Sequence, residues 1–231
     1  MIEKVVVKRN ERFYNSDFRS FDFKPGLNII VGPNTSGKSS LLELIERYNG
    51  YSNGFFGPEQ NGFKCKQEYI QGKITGKVCK VMEYAPQKLH ESQRIEQTGC
   101  DTYTTVASHF QSRGEGRYSY HTYFSSTLKD KIKFSEEQIA ELKTDNIEYN
   151  DKECIIIADE PENSMGLNMQ LGLFEWFREF AKVNKNVQII IATHSFAMFE
   201  CIKHKDINII EMKKGWINLL KRQCKMALQD V

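Results

Sequence analysis

Leu27-Asn28-Ile29-Ile30-Val31-Gly32-Pro33-Asn34-Thr35-Ser36-Gly37-Lys38-Ser39 is the stretch around which the rest of the chain is organised. Its first five residues make a short apolar run of the kind a buried parallel strand needs. Gly32 to Ser39 fit G-x-x-x-x-G-K-[ST], and Leu41, Leu42, Leu44 and Ile45 then recur at helical spacing. A strand, a glycine loop and a helix start, in that order, aim successive backbone N–H groups at one point. The helix dipole adds positive potential there, so a polyphosphate is the expected ligand. Lys38 would neutralise the outer phosphates, and the Ser39 hydroxyl would sit on Mg²⁺. Ser40 completes the candidate binding run.

Composition narrows the setting. A chain of 231 residues can bury a full core, and a net charge of +2 argues by itself for neither nucleic acid nor membrane. No apolar run approaches the roughly 18 residues needed to span a bilayer. Met1-Ile2-Glu3-Lys4 lacks the pattern of a secretory leader. The six cysteines are scattered without a C-x-x-C pair, which favours reduced, packing thiols and a cytoplasmic protein.

Before the loop, Val5-Val6-Val7 reads as a first strand, and a connection through Lys24-Pro25-Gly26 leads into the second. Phe18, Phe21 or Phe23 could stack on an adenine or pack a sheet edge; Arg19 could meet a phosphate or lie on the surface. After the loop, Tyr69 to Val81 alternate with period two around glycines, which predicts an antiparallel hairpin beside the main sheet. Its lysines read first as a solvated face. Val81 to Gln87 reads as a strand ending in Pro-Gln, whose glutamine could reach Mg²⁺ and an attacking water, although Gln93 and Gln97 compete for that role and a plain turn glutamine fits as well.

Further on, Ser112-Arg113-Gly114-Glu115 combines a capping box with groups able to hold the γ-phosphate of a nucleotide bound to another subunit. Ser135 to Asn146 predicts a capped, charged, peripheral helix. Cys154 to Ala158 predicts a buried strand ending in Asp159 and Glu160. Asp159 suits an acid that holds Mg²⁺ through water, and Glu160 suits the group that orients and deprotonates an attacking water. Leu167 to Val183 predicts a long helix with Leu171, Phe174, Phe177 and Phe180 at core spacing. A third buried strand, Val187 to Ala192, ends in Thr193-His194-Ser195, where His194 could bond the γ-phosphate or the water. Ile207 to Met212 and a strand after Lys213-Lys214-Gly215 read as a closing hairpin, with a short or frayed helix from Arg222.

In this order the motifs resemble those of the ABC-type ATPases. Gly32–Ser39 is similar to Walker A, Gln87 to the Q-loop, Ser112–Glu115 to the signature loop, Ile155–Glu160 to Walker B and His194 to the switch histidine. Phe18-Arg19-Ser20-Phe21 before Pro25-Gly26, with Asp159-Glu160-Pro161-Glu162 and Ala192-Thr193-His194-Ser195, resembles the small stand-alone SMC and RecF-like AAA ATPases. Three positions depart from the pattern. Thr35 replaces a loop glycine, tolerable if its φ stays negative; Arg113 replaces the first signature glycine; Gly166 replaces a D-loop aspartate.

The resemblance implies an α/β P-loop NTPase with a mostly parallel sheet, an antiparallel β lobe and a shortened helical subdomain. Residues 1–231 would form one domain, with a signature and helical region inserted at 88–150. The implied ligands are ATP and Mg²⁺. Glu160, His194 and Gln87 would be catalytic, and Ser39, Asp159 and Gln87 would hold the metal. Gly32, Pro33, Asn34, Thr35, Ser36, Gly37, Lys38, Ser39, Ser40, Ser112, Gly114 and Glu115 would bind nucleotide. The implied assembly is an ATP-dependent homodimer or ABC-type heterodimer acting on a protein, or on nucleic acid, in DNA repair or phage defence. A transporter's ATP-binding subunit and a non-hydrolysing ATP sensor are the alternatives. The short interval between Gln87 and Ser112 argues against the transporter.

Overall fold

The computed structural model describes residues 1–7, 13–49, 72–84, 136–144, 148–163 and 165–229. In chain order these form β1 (Ile2–Val7), β2 (Ser20–Asp22), β3 (Gly26–Val31), α1 (Lys38–Asn49), β4 (Gly72–Gly76) and β5 (Val78–Glu83). There follow α2 (Glu136–Thr144), β6 (Tyr149–Asp159), α3 (Leu167–Val183), β7 (Val187–Thr193), α4 (Met198–Ile202), β8 (Asn208–Glu211) and α5 (Trp216–Gln229). The strands divide into a five-stranded sheet, β5-β6-β7-β3-β8, and a three-stranded sheet, β2-β1-β4. Every pairing in the first is parallel and every pairing in the second antiparallel. The α/β class and the antiparallel lobe expected from the sequence are both present.

The parallel sheet is apolar on both faces, as crossover connections require. Ile29 and Val31 of β3 join Ile156, Ile189 and Ile191 in one core, against Leu173, Phe174 and Phe177 of α3. The intervening Ile30 joins Ile155, Ile157 and Ile190 in the other, against Leu41, Leu44 and Ile45 of α1 and the inner side of β1. Period-two alternation thus feeds two cores, and burying each such side chain contributes about 1.5–3 kcal/mol. Of the four α3 residues expected at core spacing, Phe174 and Phe177 are fully buried, while Leu171 and Phe180 are only partly covered. Two side-chain amides tie the sheets together: Asn208 of β8 donates to the Asp22 carbonyl of β2 at 2.9 Å, and Gln188 makes the second tie. Gln188, buried in β7, accepts the Ile2 N–H at 2.9 Å and donates to the carbonyls of Ile2 and Lys24 at 2.8 and 2.9 Å.

Three sequence expectations change. The described part of the expected hairpin, residues 72–81, does not pair with itself: β4 pairs antiparallel with β1, whereas β5 runs parallel to β6 in the other sheet. The break falls at Gly76, whose φ is +137° and where a Cβ would lie 2.4 Å from the Met1 carbonyl oxygen. Glycine alone fits this close approach, and the turn of backbone there sends β5 to a different sheet. The segment before β3 holds a short extra strand, β2. After Gly215 the chain enters helix α5 and not a second hairpin strand. The Glu211 carboxylate accepts the N–H groups of Gly215 at 3.2 Å and Ile217 at 2.7 Å, so the helix start is capped by the end of the preceding strand. Trp216, Ile217 and Leu220 then turn one face to the core. No described helix is long and apolar enough to cross a membrane.

Candidate functional site

Parallel register places the C-terminal ends of β6, β7 and β3 side by side, with Asp159 beside Ala192 and Val31 beside Thr193. Open α/β sheets present their ligand crevices at this edge. A cleft of about 560 Å³ opens there, lined by residues 34–40 with Glu160 and His194. Three segments far apart in sequence therefore line one cleft.

The loop after β3 is shaped by its backbone. At Gly32 a Cβ would come 2.7 Å from Met212 Cβ and 2.8 Å from Ser36 Oγ, so the first glycine is a space requirement. Gly37, at φ +92°, turns the chain into α1. Thr35 corrects the sequence reading: its φ is +60°, in the left-handed region, and not negative. Asn15 Nδ2 donates to Thr35 Oγ1 at 2.5 Å, and that hydroxyl donates to the Asn34 carbonyl at 2.6 Å. The strained residue is held from two sides.

Lys38 begins α1 and is only 5% exposed. Its Nζ donates to the carbonyls of Gly32 and Pro33 at 3.1 and 3.2 Å. Burial pulls its pKa down, against the opposing pull of Glu160, Asp159 and Glu162. Burial raises the Asp159 pKa, and a hydrogen bond from Ser39 opposes that rise. One oxygen of Asp159, Oδ1, is buried without a hydrogen-bond partner. Such an oxygen beside a hydroxyl is the hard donor set that Mg²⁺ accepts, with the remaining positions left to water and phosphate. Among the described residues no group of three or more His, Cys, Asp or Glu could hold a metal by itself.

Glu160 also has a left-handed backbone, φ +45°, and its N–H donates to the Ala192 carbonyl at 2.8 Å. Its Oε1 lies 3.4 Å from His194 Nε2, with the two side chains 42% and 34% exposed. Burial first, and Lys38 second, lower the His194 pKa. Glu160 and Asp159 pull the other way without reversing the shift, so the site favours the neutral imidazole beside the carboxylate.

Gln87, Ser112, Gly114 and Glu115 lie outside the described residues. Phe21 and Phe23 are core residues, so Phe18 alone of the three aromatics keeps the exposure that adenine stacking needs. Arg19 donates to the Ser16 and Phe18 carbonyls and serves its own turn. Cys79 and Cys154 are buried and free, the Cys154 thiol pushed up to about 12 by burial, as packing cysteines. Sequence reading missed Glu162. Its Oε1 accepts from Thr193 Oγ1, from His194 N at 3.3 Å and from Ser195 N at 3.2 Å. No spacing rule pairs residues so distant; a charged side chain immediately past a proline at a buried strand end was the only local hint.

A family model described as AAA domain, AAA_23, matches residues 9–223. Over 45 residues the chain is 44% identical to the DNA double-strand break repair Rad50 ATPase of Nanoarchaeum equitans, a match spanning 20% of this chain and 6% of that protein. Among solved structures it is similar to the SMC head domain from Thermotoga maritima, at 13% identity and TM-score 0.47, covering 86% of this chain and 91% of that one. It is also similar to a nucleotide-free ATP-binding cassette from an ABC transporter, at 15% identity and TM-score 0.43, covering 92% and 89%. With residues 9–223 of its 231 matched by the AAA domain model, the chain belongs to the AAA domain family and is an ATPase, in keeping with the ABC- and SMC-type resemblance its motifs carry.

Proposed function

We propose that this chain binds Mg-ATP in the cleft at the ends of β3, β6 and β7, and that ATP joins two copies of it. The observation that carries the reading is the convergence of Asp159, Glu160 and His194 on the loop at residues 34–40, which carries Lys38. Loop N–H groups and Lys38 would bind the phosphates. Ser39 and Asp159 would hold Mg²⁺, which when bound neutralises phosphate charge. Glu160 would take a proton from water as its oxygen attacks the γ-phosphorus, and ADP would leave with the bridging oxygen. His194, neutral, would donate or accept one hydrogen bond at the γ-phosphate or the water. Gln87 would complete the metal and water contacts, while Ser112, Gly114 and Glu115 would close the site from the second copy. We take the setting to be cytoplasmic. The local likeness to a double-strand break repair ATPase supports an output on a nucleic acid or a protein partner, with ATP as the joint.

A mixing experiment tests the composite site. Lys38→Ala and Ser112→Arg chains should each be inactive alone, and mixed they should recover part of the turnover, since some pairs set an intact loop opposite an intact Ser112. Glu160→Gln with ATP should elute from a sizing column as a dimer, and with ADP as a smaller species. A mixture that stays dead, with Glu160→Gln monomeric in saturating ATP, sinks the shared site.

A further inference from the structure

We propose that Glu162 is a positioning residue for ATP hydrolysis: it locks the loop that carries His194 to the loop that carries Glu160. The inference rests on the hydrolysis reading above and extends it to a side chain that is not among those lining the cleft.

The need for such a lock follows from the strand ends. β7 finishes at Thr193, and beyond it His194 and Ser195 have no strand partner for their N–H groups. Glu162, 5% exposed, supplies what the ladder no longer does. One oxygen, Oε1, accepts both N–H groups and the Thr193 hydroxyl. Bonds to a buried carboxylate are about twice as strong as neutral ones. On its far side the same loop is held by α3: Ser195 Oγ donates to Gln170 Oε1 at 2.5 Å, and Gln170 Nε2 donates to the Met165 carbonyl at 2.7 Å. The Thr193 hydroxyl also accepts the Ser195 N–H at 2.9 Å, and Ser195 Oγ accepts the Ala197 N–H at 3.0 Å. The loop is thereby pinned at every residue from Thr193 to Ser195.

What this pinning controls is the pair at the cleft. Glu160 and His194 are each more than a third exposed, so side-chain packing cannot fix their 3.4 Å separation. It depends on where their backbones sit. Glu160 is held to β7 through its own N–H to the Ala192 carbonyl, in a left-handed conformation that needs outside support. Glu162 lies two residues along and returns the constraint from the other direction. Without it, among the described residues, the two loops are linked by that backbone bond and by the exposed pair itself.

The test compares Glu162→Ala, Glu162→Gln, His194→Ala and the Glu162→Ala/His194→Ala double variant, each assayed for kcat and for ATP affinity. Glu162→Ala should lower kcat by roughly 10–100-fold, since misplacement on the ångström scale costs that much, and change ATP affinity by less than about threefold. Glu162→Gln keeps an acceptor oxygen and should recover most of the rate. In the His194→Ala background Glu162→Ala should cost less than about threefold, because residues that act through one another do not add. If Glu162→Ala does not fold, Thr193→Val removes one donor at nearly constant volume and should give the same split in smaller measure. The role is overturned if Glu162→Ala turns over ATP normally while Glu160→Gln does not, a result that leaves the hydrolysis reading intact. It is also overturned if kcat and affinity fall together, or if the two losses multiply in the double variant.

Discussion

The phosphate loop at residues 32–39 and the paired loops at 159–163 and 193–195 meet at one cleft but are built by opposite means. The first is backbone architecture. Gly32 leaves room for Met212, Gly37 turns the chain, and Lys38 bonds the loop's own carbonyls. Apart from Met212, all of that lies within eight consecutive residues. The second is side-chain architecture assembled across two strands. Its carboxylates come from the last residue of β6 and the turn beyond it, its histidine from beyond β7, and the carboxylate that joins them, Glu162, bonds residues some thirty positions away. A loop that encloses its ligand with N–H groups can be written locally. A pair of loops that holds two side chains at a set distance needs the sheet order as well.

The two halves should therefore fail differently, and the largest effect belongs to the second. Glu160→Gln keeps shape and hydrogen-bonding reach but removes the base. Turnover should fall roughly 10²–10⁴-fold, about 2.7–5.5 kcal/mol of barrier, with ATP affinity preserved. Phosphate release measured beside equilibrium binding checks both parts, and a variant that hydrolyses at the wild-type rate would remove Glu160 from the chemistry.

The first half should fail in binding. Lys38→Ala removes a buried cation whose charge the loop would present to phosphate. Affinity for ATP should weaken by about 1.5–3 kcal/mol, roughly 10–150-fold, while the protein stays folded. Unchanged affinity in a folded Lys38→Ala protein would break the contrast, since the loop would then not be the binding element. Gly32→Ala separates space from charge. The new Cβ would press on Met212 Cβ at 2.7 Å, close to backbone and not at a flexible tip, so stability should drop by about 1–3 kcal/mol in thermal unfolding. A Gly32→Ala protein as stable as the wild type would mean that the strand and Met212 part easily.

The same contrast explains what could be read in advance. Strands β3, β6 and β7 announce themselves as apolar runs, and their carboxylate and histidine ends fall where an α/β sheet puts its ligands. The boundaries of α3 were legible because its apolar residues keep helical spacing. Residues 72–83 were misread because strands β4 and β5 share one period-two pattern, and alternation does not say which sheet a strand joins. Gly76 carried the answer, but its meaning depends on the Met1 carbonyl arriving from another part of the chain. α5 was misread because its cap, Glu211, belongs to the preceding strand and does not sit at the usual capping position. Glu162 escaped for a related reason: two of its three partners are backbone N–H groups, which no sequence motif marks, and the third, the Thr193 hydroxyl, lies 31 positions away.

The smallest effect tests whether the phosphate loop is as self-contained as the contrast claims. Thr35 sits at φ +60°, and a side chain branched at Cβ in that region carries strain of about 1–2 kcal/mol. Thr35→Gly would relieve it. Glycine, however, gives back about 0.5–1 kcal/mol through the freedom it gains in the unfolded chain. The change also deletes the bond from Asn15, worth about 0.5–1.5 kcal/mol at most in this exposed position. The opposing contributions nearly cancel, so stability should move by less than about 1 kcal/mol. The information lies in the coupling. If Asn15 acts by holding Thr35 in its left-handed conformation, Asn15→Ala should cost about 0.5–1 kcal/mol in the wild type and nothing in the Thr35→Gly background. Equal costs in both backgrounds would mean that Asn15 supports its own turn and not the loop. The phosphate loop would then hold its shape without help from residues 13–19, and the contrast between the two halves would be sharper still.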